Sequence, residues 1–402
     1  MKITFIGINY APEPTGIAPY TAGMAEGLVR TGDHVRVITG FPHYPQWRIS
    51  PGYSGSSITE NLAGVRIRRV RHYVPARPGL ANRLLMELVF GMRAIVSRWG
   101  RADVVVMVSP ALFSTALAAL KARILRVRGF IWVQDIYSLG VSESGTGGKA
   151  AGRILRLIEG TTLRSASGVI VIHERFKRYL VDELGIDASK VHVVRNWSHI
   201  SDPNGENRSE VRDSHGWTPH ETVVLHAGNM GAKQGLENVV HASRLAAEVE
   251  SPIRFVLLGD GNRRRALQDM GANSRLQFID PLPDGEFEET LAAADILLVN
   301  ERPGLTEMCV PSKLTSYFNT GLPVIVATDR SSITAEELER AAAGVRVDAA
   351  QPQDLLDAAT ALARNSDLSR SYGQAGRLFK EQYLSEDEAV NTFRSIIKPA
   401  DD

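Results

Sequence analysis

The sequence is nearly devoid of cysteine: Cys309 is the single one among 402 residues. A lone cysteine can form no intrachain disulfide and argues against a thiolate metal site. We therefore expect a protein of the reducing cytoplasm without a cysteine-based metal site. No signal peptide is expected either, because residues 1–7 run from Met-Lys straight into an apolar strand.

Long apolar runs are scarce. The stretch 104–120 is free of charge, but its 17 residues fall short of the roughly 20 that a membrane-spanning helix needs. Ser109 and Pro110 divide this stretch, which predicts a buried strand followed by the start of a helix. A transmembrane span is therefore not expected here.

The first predicted strand, residues 3–8, is not followed by the G-x-G-x-x-G spacing of a dinucleotide-binding loop. An NAD-dependent oxidoreductase is for this reason the least supported enzyme class. Gly16 closes the loop instead. It could let the backbone approach a ligand closely, or serve as a plain turn glycine.

The net charge of +1 conceals two opposite halves. Residues 1–200 hold 26 Lys and Arg against 13 Asp and Glu, whereas residues 201–402 hold 20 against 32. The basic half suits an anionic membrane surface or an anionic acceptor, or is a solvated face without a partner. No nucleic-acid motif accompanies it, so nucleic acid is not expected as a partner. The basic charge is concentrated in Arg66, Arg68, Arg69, Arg71, Arg77, Arg83, Arg93, Arg98 and Arg101.

Residues 80–99 have the pattern of an amphipathic helix. Leucine, valine, methionine and isoleucine recur at helical spacing, together with Arg83, Arg93, Arg98 and the terminal Trp99. The pattern is typical of a helix on a membrane surface, which would make the protein peripheral at the inner face of the cell membrane. Core helices of α/β proteins look similar, so a packed helix is the alternative.

Apolar strands alternate with helical stretches along the chain, which predicts an α/β protein with parallel sheets. A polar connection, residues 198–221, divides it into two domains, 1–200 and 201–402. The closing helical stretch, about 375–397, is predicted to pack back on the first domain.

Four side chains of the first domain follow predicted strands, where open α/β sheets bind ligands. Tyr44 and Trp47 lie in a loop shaped by two prolines, and Asp135 and His173 come at the ends of buried strands. We assign Tyr44, Trp47 and His173 to an acceptor pocket and Asp135 to catalysis. A packed loop and a cap of the next turn are the structural alternatives.

The second domain offers two candidate anion sites. A loop with Gly228, Asn229 and Lys233 precedes a helix, and Gly259 and Asp260 follow the next strand. Backbone N–H groups at such loops and helix starts bind phosphate, and the lysine adds a full positive charge.

A further helix start, Pro311-Ser312-Lys313, supplies a hydroxyl and an amine. The upstream Glu307 could present a carboxylate to sugar hydroxyls. A ligand with phosphate at one end and hydroxyls at the other, as this site would require, is a nucleotide-sugar. An ordinary helix start with a solvated lysine is the alternative. Ile279 and Pro281, at the end of another predicted strand, complete the predicted nucleotide-sugar site.

Five separated stretches carry a resemblance to a known family. They are Gly7-Ile8-Asn9-Tyr10 with Pro14-Thr15-Gly16-Ile17, Pro45-Gln46-Trp47, Asn196-Trp197-Ser198, Lys233-Gln234-Gly235-Leu236-Glu237-Asn238-Val239 and Pro311-Ser312-Lys313-Leu314-Thr315. The chain resembles the family 4 glycosyltransferases of the GT-B fold, nearly from end to end, and most of all the bacterial colanic-acid fucosyltransferase type.

The resemblance implies two Rossmann-like domains that face each other across a cleft. The second would hold a nucleotide-diphospho-sugar and the first a glycan or lipid-linked glycan acceptor. Retention of the anomeric configuration, no bound metal and no cofactor besides the donor are also implied. GDP-fucose-like and UDP-N-acetylhexosamine-like donors both remain open.

The same resemblance assigns roles to individual residues. Lys233, Ser312 and Lys313 would lie near the diphosphate, and Gly16 would close on the phosphates from the opposite domain. Glu307 approximates the acid that contacts sugar hydroxyls. Lys233, Glu307 and Asp135 form the predicted catalytic set, in which Lys233 stabilises the negative charge that develops on the diphosphate when the glycosyl bond breaks.

Departures from the family pattern leave alternatives open. No arginine stands in its usual place before Lys233, the usual pair of glutamates is replaced by Met308 and Ser316, and the usual histidine is Gln134. We interpret these as features of a subfamily. One alternative is a nucleotide-sugar epimerase of similar fold, which would act without an acceptor. Another is a catalytically silent scaffold, which would bind nucleotide without turnover.

Overall fold

The computed structural model describes residues 1–14, 16–77, 79–139, 148–198, 207–283, 285–304 and 312–398. The chain divides into two compact units, one of Met1–Trp197 with Glu386–Asp402 and one of Ser198–Ser385. Each unit is a sheet of mainly parallel strands covered by helices, because apolar strands alternate with helical stretches throughout. Every helix in the described part of the chain is too short or too polar to span a bilayer.

The first unit is built on an eight-stranded sheet. Its strands are β1 (Lys2–Ile6), β2 (His34–Gly40), β3 (Ser57–Leu62), β4 (Val65–Val70), β5 (Val104–Ser109), β6 (Arg128–Val133), β7 (Gly168–Val171) and β8 (Val191–Val193). Its first helices are α1 (Ala18–Arg30), α2 (Leu80–Val96), α3 (Leu112–Ile124), α4 (Gly148–Arg164) and α5 (Glu174–Asp182). The strand order is β3-β4-β2-β1-β5-β6-β7-β8, and only β3 runs antiparallel to its neighbour. The order reverses between β1 and β5, which is where such sheets bind ligands.

The second unit is built on a six-stranded parallel sheet. Its strands are β9 (Thr222–Ala227), β10 (Ile253–Leu258), β11 (Leu276–Ile279), β12 (Ile296–Asn300), β13 (Val324–Ala327) and β14 (Gly344–Val347). Its helices are α6 (Arg208–Ser214), α7 (Glu237–Glu248), α8 (Arg264–Asp269), α9 (Glu286–Ala293), α10 (Ser312–Thr320), α11 (Ile333–Ala341), α12 (Pro352–Arg364) and α13 (Ser366–Tyr383). The order β11-β10-β9-β12-β13-β14 reverses between β9 and β12, so the loops that leave these two strands flank the expected binding position.

The last helix, α14 (Glu386–Ile397), belongs to the first unit. Its Phe393 is fully buried, with its ring 6.1 Å from that of Phe5 and 5.1 Å from that of Trp132. A Cβ on Gly27 of α1 would lie only 2.4 Å from Val390, so the close approach of the two helices requires glycine there. Residues far apart in sequence thus share one core.

Replacing Phe393 by alanine is expected to destabilise the first unit by about 3–5 kcal/mol, because a buried ring is lost and a cavity remains. Urea unfolding followed by circular dichroism measures the change. Leu378→Ala is the matched control, since that side chain is 56% exposed and its loss should change stability by less than about 0.5 kcal/mol. Equal losses in the two variants would contradict the prediction.

Two sequence expectations about the basic half are wrong. Trp99 is buried, donates its indole N–H to the carbonyl of Ala94 and follows a helix that ends at Val96, so it is not a surface anchor. Arg69 is only 1% exposed; it donates to the Glu60 carboxylate on the antiparallel edge strand and to the carbonyl of Ala11. Strand β4 therefore turns one of its arginines inward, where pairing offsets the cost of burying the charge.

Glu87 of α2 is a buried carboxyl that accepts the backbone N–H of Phe113 at the start of α3. Burial raises its pKa to about 8, against about 4.3 in an unfolded chain, although the Phe113 N–H and Tyr137 oppose the shift. Between these values the folded state keeps a proton that the unfolded state has released. Stability should therefore fall as pH rises from about 4 to about 8, by up to about 1.4 kcal/mol per pH unit.

The corresponding variant is Glu87→Gln, whose amide cannot ionise. Its urea midpoint should fall less between pH 5 and pH 8 than that of the wild type. A variant with the same pH profile as the wild type would rule out this carboxyl as the cause.

Candidate functional site

The carboxyl ends of β9 and β10 meet through two glycines. The N–H of Gly228 donates to the carbonyl of Leu258 at 2.8 Å, and Gly259 has a φ of +128°. A Cβ on Gly259 would lie 2.2 Å from the carbonyl oxygen of Gly228, so the two loops touch backbone to backbone. No side chain fits between them, and the N–H groups of both glycines are used within the sheet, by the carbonyls of Leu258 and Ile279.

Lys313, the second residue of α10, lies beside this glycine pair. A Cβ on Gly228 would be 3.1 Å from Lys313 Cε, and Lys313 Nζ is 3.0 Å from Nε2 of the fully buried His226. Nδ1 of His226 lies 3.1 Å from the carbonyl oxygen of Leu298. Because a carbonyl can only accept, Nδ1 carries the ring proton and Nε2 accepts from the lysine.

His226 is neutral in this arrangement. Burial, followed by the charge of Lys313, holds the pKa of the imidazole well below its ordinary value. A neutral acceptor orients the ammonium of Lys313 without cancelling its charge. The end of β9 therefore carries a fixed positive charge beside a residue without a side chain, which suits a phosphate.

The loop that contains Lys233 is held by Asn300, the last residue of β12. Asn300 is 1% exposed, and its Nδ2 donates to the carbonyls of Gln234 at 2.8 Å and Gly235 at 3.0 Å. Its Oδ1 accepts from Nδ2 of Asn238 at 2.9 Å. The backbone around Lys233 is thereby fixed, while the side chain of Lys233 itself is exposed.

The other predicted donor-site residues are placed as follows. Ile279 is buried, and its carbonyl accepts the N–H of Gly259 at 3.0 Å, so both end neighbouring strands. Asp260 and Pro281 are exposed in loops that follow β10 and β11. Asn229 comes directly after Gly228, and its Oδ1 would lie 2.7 Å from a Cβ on Gly261. Ser312 begins α10, and Glu307 lies outside the described residues.

A carboxyl of the second unit that sequence reasoning missed is Glu301, directly after β12. Its two oxygens accept the hydroxyls of Thr328 at 2.5 Å and Thr334 at 2.7 Å. Burial raises its pKa, while the two hydroxyls and the nearby Lys313 oppose the shift. It supplies a fixed acidic group close to the lysine.

In the first unit, Glu13 joins the loops that follow β1 and β2. It is 4% exposed; one carboxylate oxygen accepts the N–H groups of His43 at 2.8 Å and Tyr44 at 2.9 Å, and the other accepts from Asn9 at 2.8 Å. The predicted Gly16 comes close to the same loop, because a Cβ there would be 3.6 Å from the Tyr44 ring. Tyr44 and Glu13 line a cavity of about 270 Å³ between the loops.

The remaining first-unit residues differ in exposure. Trp47 has a left-handed φ of +53°, meets the Tyr44 ring at 5.9 Å and lies under the guanidinium of Arg83 at 5.0 Å. Asp135 is exposed after β6. His173 is 1% exposed, and its Nδ1 accepts the N–H of Arg175 as a cap of α5. The structure thus gathers Gly16, Tyr44 and Trp47 in one place, with Asp135 and His173 at the ends of other strands.

Three of the residues that organise these sites were missed from the sequence: Glu13, His226 and Asn300. Each is a polar residue at the end of an apolar strand or in the loop just after it, which is the signal that could have found them. Among the described residues, no group of three or more His, Cys, Asp and Glu side chains could hold a metal ion.

Comparison with known families covers most of the chain. The family described as Glycosyl transferase 4-like domain matches residues 15–197, and the family described as Glycosyl transferases group 1 matches residues 207–379. The putative colanic acid biosynthesis glycosyl transferase WcaI of Escherichia coli K12 is 28% identical over 99% of this chain and 100% of its own length.

Solved structures share the fold at low sequence identity. Sucrose-phosphate synthase from Thermosynechococcus elongatus superposes with a TM-score of 0.70 at 16% identity, covering 98% of this chain and 97% of its own. HepE from Anabaena in complex with UDP gives 0.69 at 14% identity, covering 98% and 99%. The predicted pair of Rossmann-like domains of the GT-B type is confirmed by the two parallel sheets and by these likenesses.

Proposed function

We infer that this chain, which belongs to the glycosyltransferases of the GT-B fold with a group 1 domain, transfers a sugar from a nucleotide-diphospho-sugar to a lipid-linked glycan in polysaccharide biosynthesis. The observation that carries the proposal is Lys313, whose ammonium is oriented by neutral His226 beside Gly228, a residue without a side chain. A diphosphate would meet a fixed positive charge there, and no side chain of Gly228 would stand in its way. The UDP bound by HepE, a protein of the same fold, agrees with this choice.

The reaction proposed is transfer with retention. The bond between the anomeric carbon and the phosphate oxygen breaks, and its electron pair stays on the diphosphate. The acceptor hydroxyl attacks the same face and gives its proton to a phosphate oxygen. Lys313 and Lys233 stabilise the charge that develops on the diphosphate, which is the largest catalytic contribution in many enzymes. Glu307 contacts the sugar hydroxyls in this proposal.

The acceptor is assigned to the first unit. The cavity beside Tyr44 is held by the Glu13 bridge, so its loops are fixed before an acceptor arrives. Aromatic rings such as Tyr44 and Trp47 offer apolar faces against which a sugar ring packs. Asp135, which is exposed after β6, is assigned to the reacting centre in this scheme.

Calorimetric titration with GDP, UDP and dTDP, and then with the matching sugar nucleotides, tests the donor site. Selective binding of GDP would indicate a fucose-like donor, and selective binding of UDP an N-acetylhexosamine-like donor. Product linkage read by NMR then tests retention. Absence of binding to all three nucleotides would overturn the proposal, binding without turnover would favour a scaffold, and acceptor-free epimerisation would favour an epimerase.

Removal of divalent metal should leave the activity intact, because lysines supply the positive charge that a metal would otherwise provide. We expect the initial rate after treatment with EDTA to stay within about twofold of the untreated rate. A loss that added Mg²⁺ restores would show that the lysines alone do not neutralise the diphosphate.

A further inference from the structure

Helix α2 presents an apolar stripe to solvent. Leu85, Leu88, Met92 and Val96 are spaced by three or four positions, so they share one side of the helix, and they are between 39% and 74% exposed. The opposite side, with Phe90, packs inward. An ordinary core helix has the reverse pattern, with polar residues outside.

Two neighbouring helices continue this surface. Helix α3 lies against α2, where a Cβ on Gly91 would be 2.9 Å from Ser114 Cα, and it meets α4 through Leu112 and Leu155. The exposed large apolar side chains of α3, of the residue after it and of α4 are Leu120, Ile124, Leu125, Ile154 and Leu157. With the stripe of α2 they make nine of the sixteen large apolar side chains exposed in the described part of the chain. We call these nine residues the three-helix face.

An open groove of about 400 Å³ lies within the three-helix face. It is lined on α3 by Ala116, Ala119, Leu120 and Arg123, and on the α4 side by Leu157, Ile158 and the hydroxyl residues Thr161, Thr162 and Ser165. Scattered exposed apolar residues need no explanation, but a concentration of this kind marks a surface that another molecule covers.

The exposed charges carried by the three helices have one sign, although one of them, Arg156, is paired at 2.6 Å with Glu183, which follows α5. Helices α2, α3 and α4 contain two acidic residues, Glu87 and Glu159, and both are buried. The exposed charged side chains on these helices, in the described part of the chain, are Arg83, Arg123, Arg153, Arg156 and Arg164. An apolar face on helices that also carry exposed arginines is complementary to apolar chains that end in anionic groups.

We propose that the three-helix face docks on an anionic lipid bilayer, with its apolar side chains among the acyl chains and its arginines against lipid phosphates. A second copy of the chain is disfavoured, because two such faces would bring like charges together. The proposal rests on the proposed function only in that docking brings the enzyme to a lipid-linked acceptor. Vesicle binding can therefore be measured without any substrate.

The test is co-sedimentation of the full chain with vesicles of phosphatidylglycerol and phosphatidylcholine, compared with vesicles of phosphatidylcholine alone. The variant is Leu88→Glu with Met92→Glu, and the control is Leu62→Glu, an exposed apolar residue at 45% on the edge strand of the same unit. We expect the double variant to partition at least tenfold less to anionic vesicles and the control to match the wild type. Equal binding of all three proteins would overturn the proposal.

Insertion is tested separately by a fluorophore. Cys309 is the only cysteine, so Cys309→Ser gives a background in which Met92→Cys carries a single environment-sensitive label. Anionic vesicles should shift its emission to the blue, and a label at Val249→Cys in the second unit should not shift. A shift at both positions, or at neither, would overturn the assignment of the face.

The outcomes separate this proposal from the proposed function. Vesicle binding without nucleotide binding would refute the transferase site and leave the docking face standing. Nucleotide binding without vesicle binding would refute the docking face and leave the transferase site standing. A dimer in sedimentation velocity that the double variant dissolves, with no vesicle binding, would show that a second copy covers the face and would overturn the lipid assignment.

Discussion

Replacing Lys313 by methionine is expected to lower kcat about 10²- to 10³-fold, the effect of removing one preorganised group that stabilises developing charge. The ammonium is held 3.0 Å from His226 Nε2, so the charge is in place before the reaction. Methionine keeps most of the volume and removes the charge. Steady-state kinetics with the donor that calorimetry identifies gives kcat and KM.

The matched control is Lys380→Met on α13, a lysine outside the glycine loops, which should leave kcat unchanged. Equal kcat for Lys313→Met and the wild type would remove Lys313 from the reaction. His226→Leu adds a second measure, because it keeps the lysine and deletes its acceptor. A fall in kcat smaller than that of Lys313→Met would identify His226 as a positioning residue.

Replacing Gly259 by alanine is expected to lower nucleotide affinity at least tenfold. The new Cβ would lie 2.2 Å from the carbonyl oxygen of Gly228, a contact with backbone that only a shift of the loops can relieve. The φ of +128° adds strain of about 1–3 kcal/mol for any residue with a side chain. Both effects act on the contact between Gly228 and Gly259, which holds together the ends of β9 and β10.

Gly271→Ala separates the two effects. Its φ of +108° is also strained, but its Cβ would meet nothing closer than 4.0 Å. We expect it to lose stability in urea unfolding and to keep the nucleotide affinity of the wild type. Similar affinity losses in both variants would show that strain alone, and not the contact with Gly228, governs the site.

The strands could be predicted from the sequence because both units bury them on two faces. Stretches such as β5 and β12 are nearly continuous apolar runs that end in polar residues, which is the pattern of a parallel sheet. The glycine loops after β9 and β10 could be predicted for the same reason, since they stand directly after such runs. Contact between these two glycine loops is expected once β9 and β10 are placed side by side in the sheet.

The partner of Lys313 could not be predicted, because it lies 87 residues away in sequence. His226 meets this lysine only because β9 lies beside β12, and nothing local in the sequence sets that strand order. Glu13 is a similar case: its carboxylate reaches Tyr44, 31 residues away, through a loop whose path the sequence leaves open. The local residue pattern predicts helices and strands, whereas contacts between side chains that are distant in sequence depend on the order of the strands in the sheet.

The sequence predicted only in part which side chains of the basic half are exposed. The apolar spacing of residues 80–99 is consistent with either a packed or an exposed stripe, and the structure exposes Leu88 and Met92 while it buries Trp99. Burial of Arg69 depends on Glu60 of the antiparallel edge strand, an arrangement that alternating residues do not encode. Charge counts therefore predicted a basic surface but not which arginines form it.

Helix α14 has a consequence for synthesis on the ribosome. Residues 386–397 supply Phe393 and Val390 to the core of the first unit, yet they emerge only after the whole second unit has been made. Until then the nascent first unit exposes Phe5 and the surface of α1 that α14 covers. The second unit is continuous in sequence, whereas the core of the first is completed only by the last residues to be synthesised, so part of its apolar surface is exposed throughout translation.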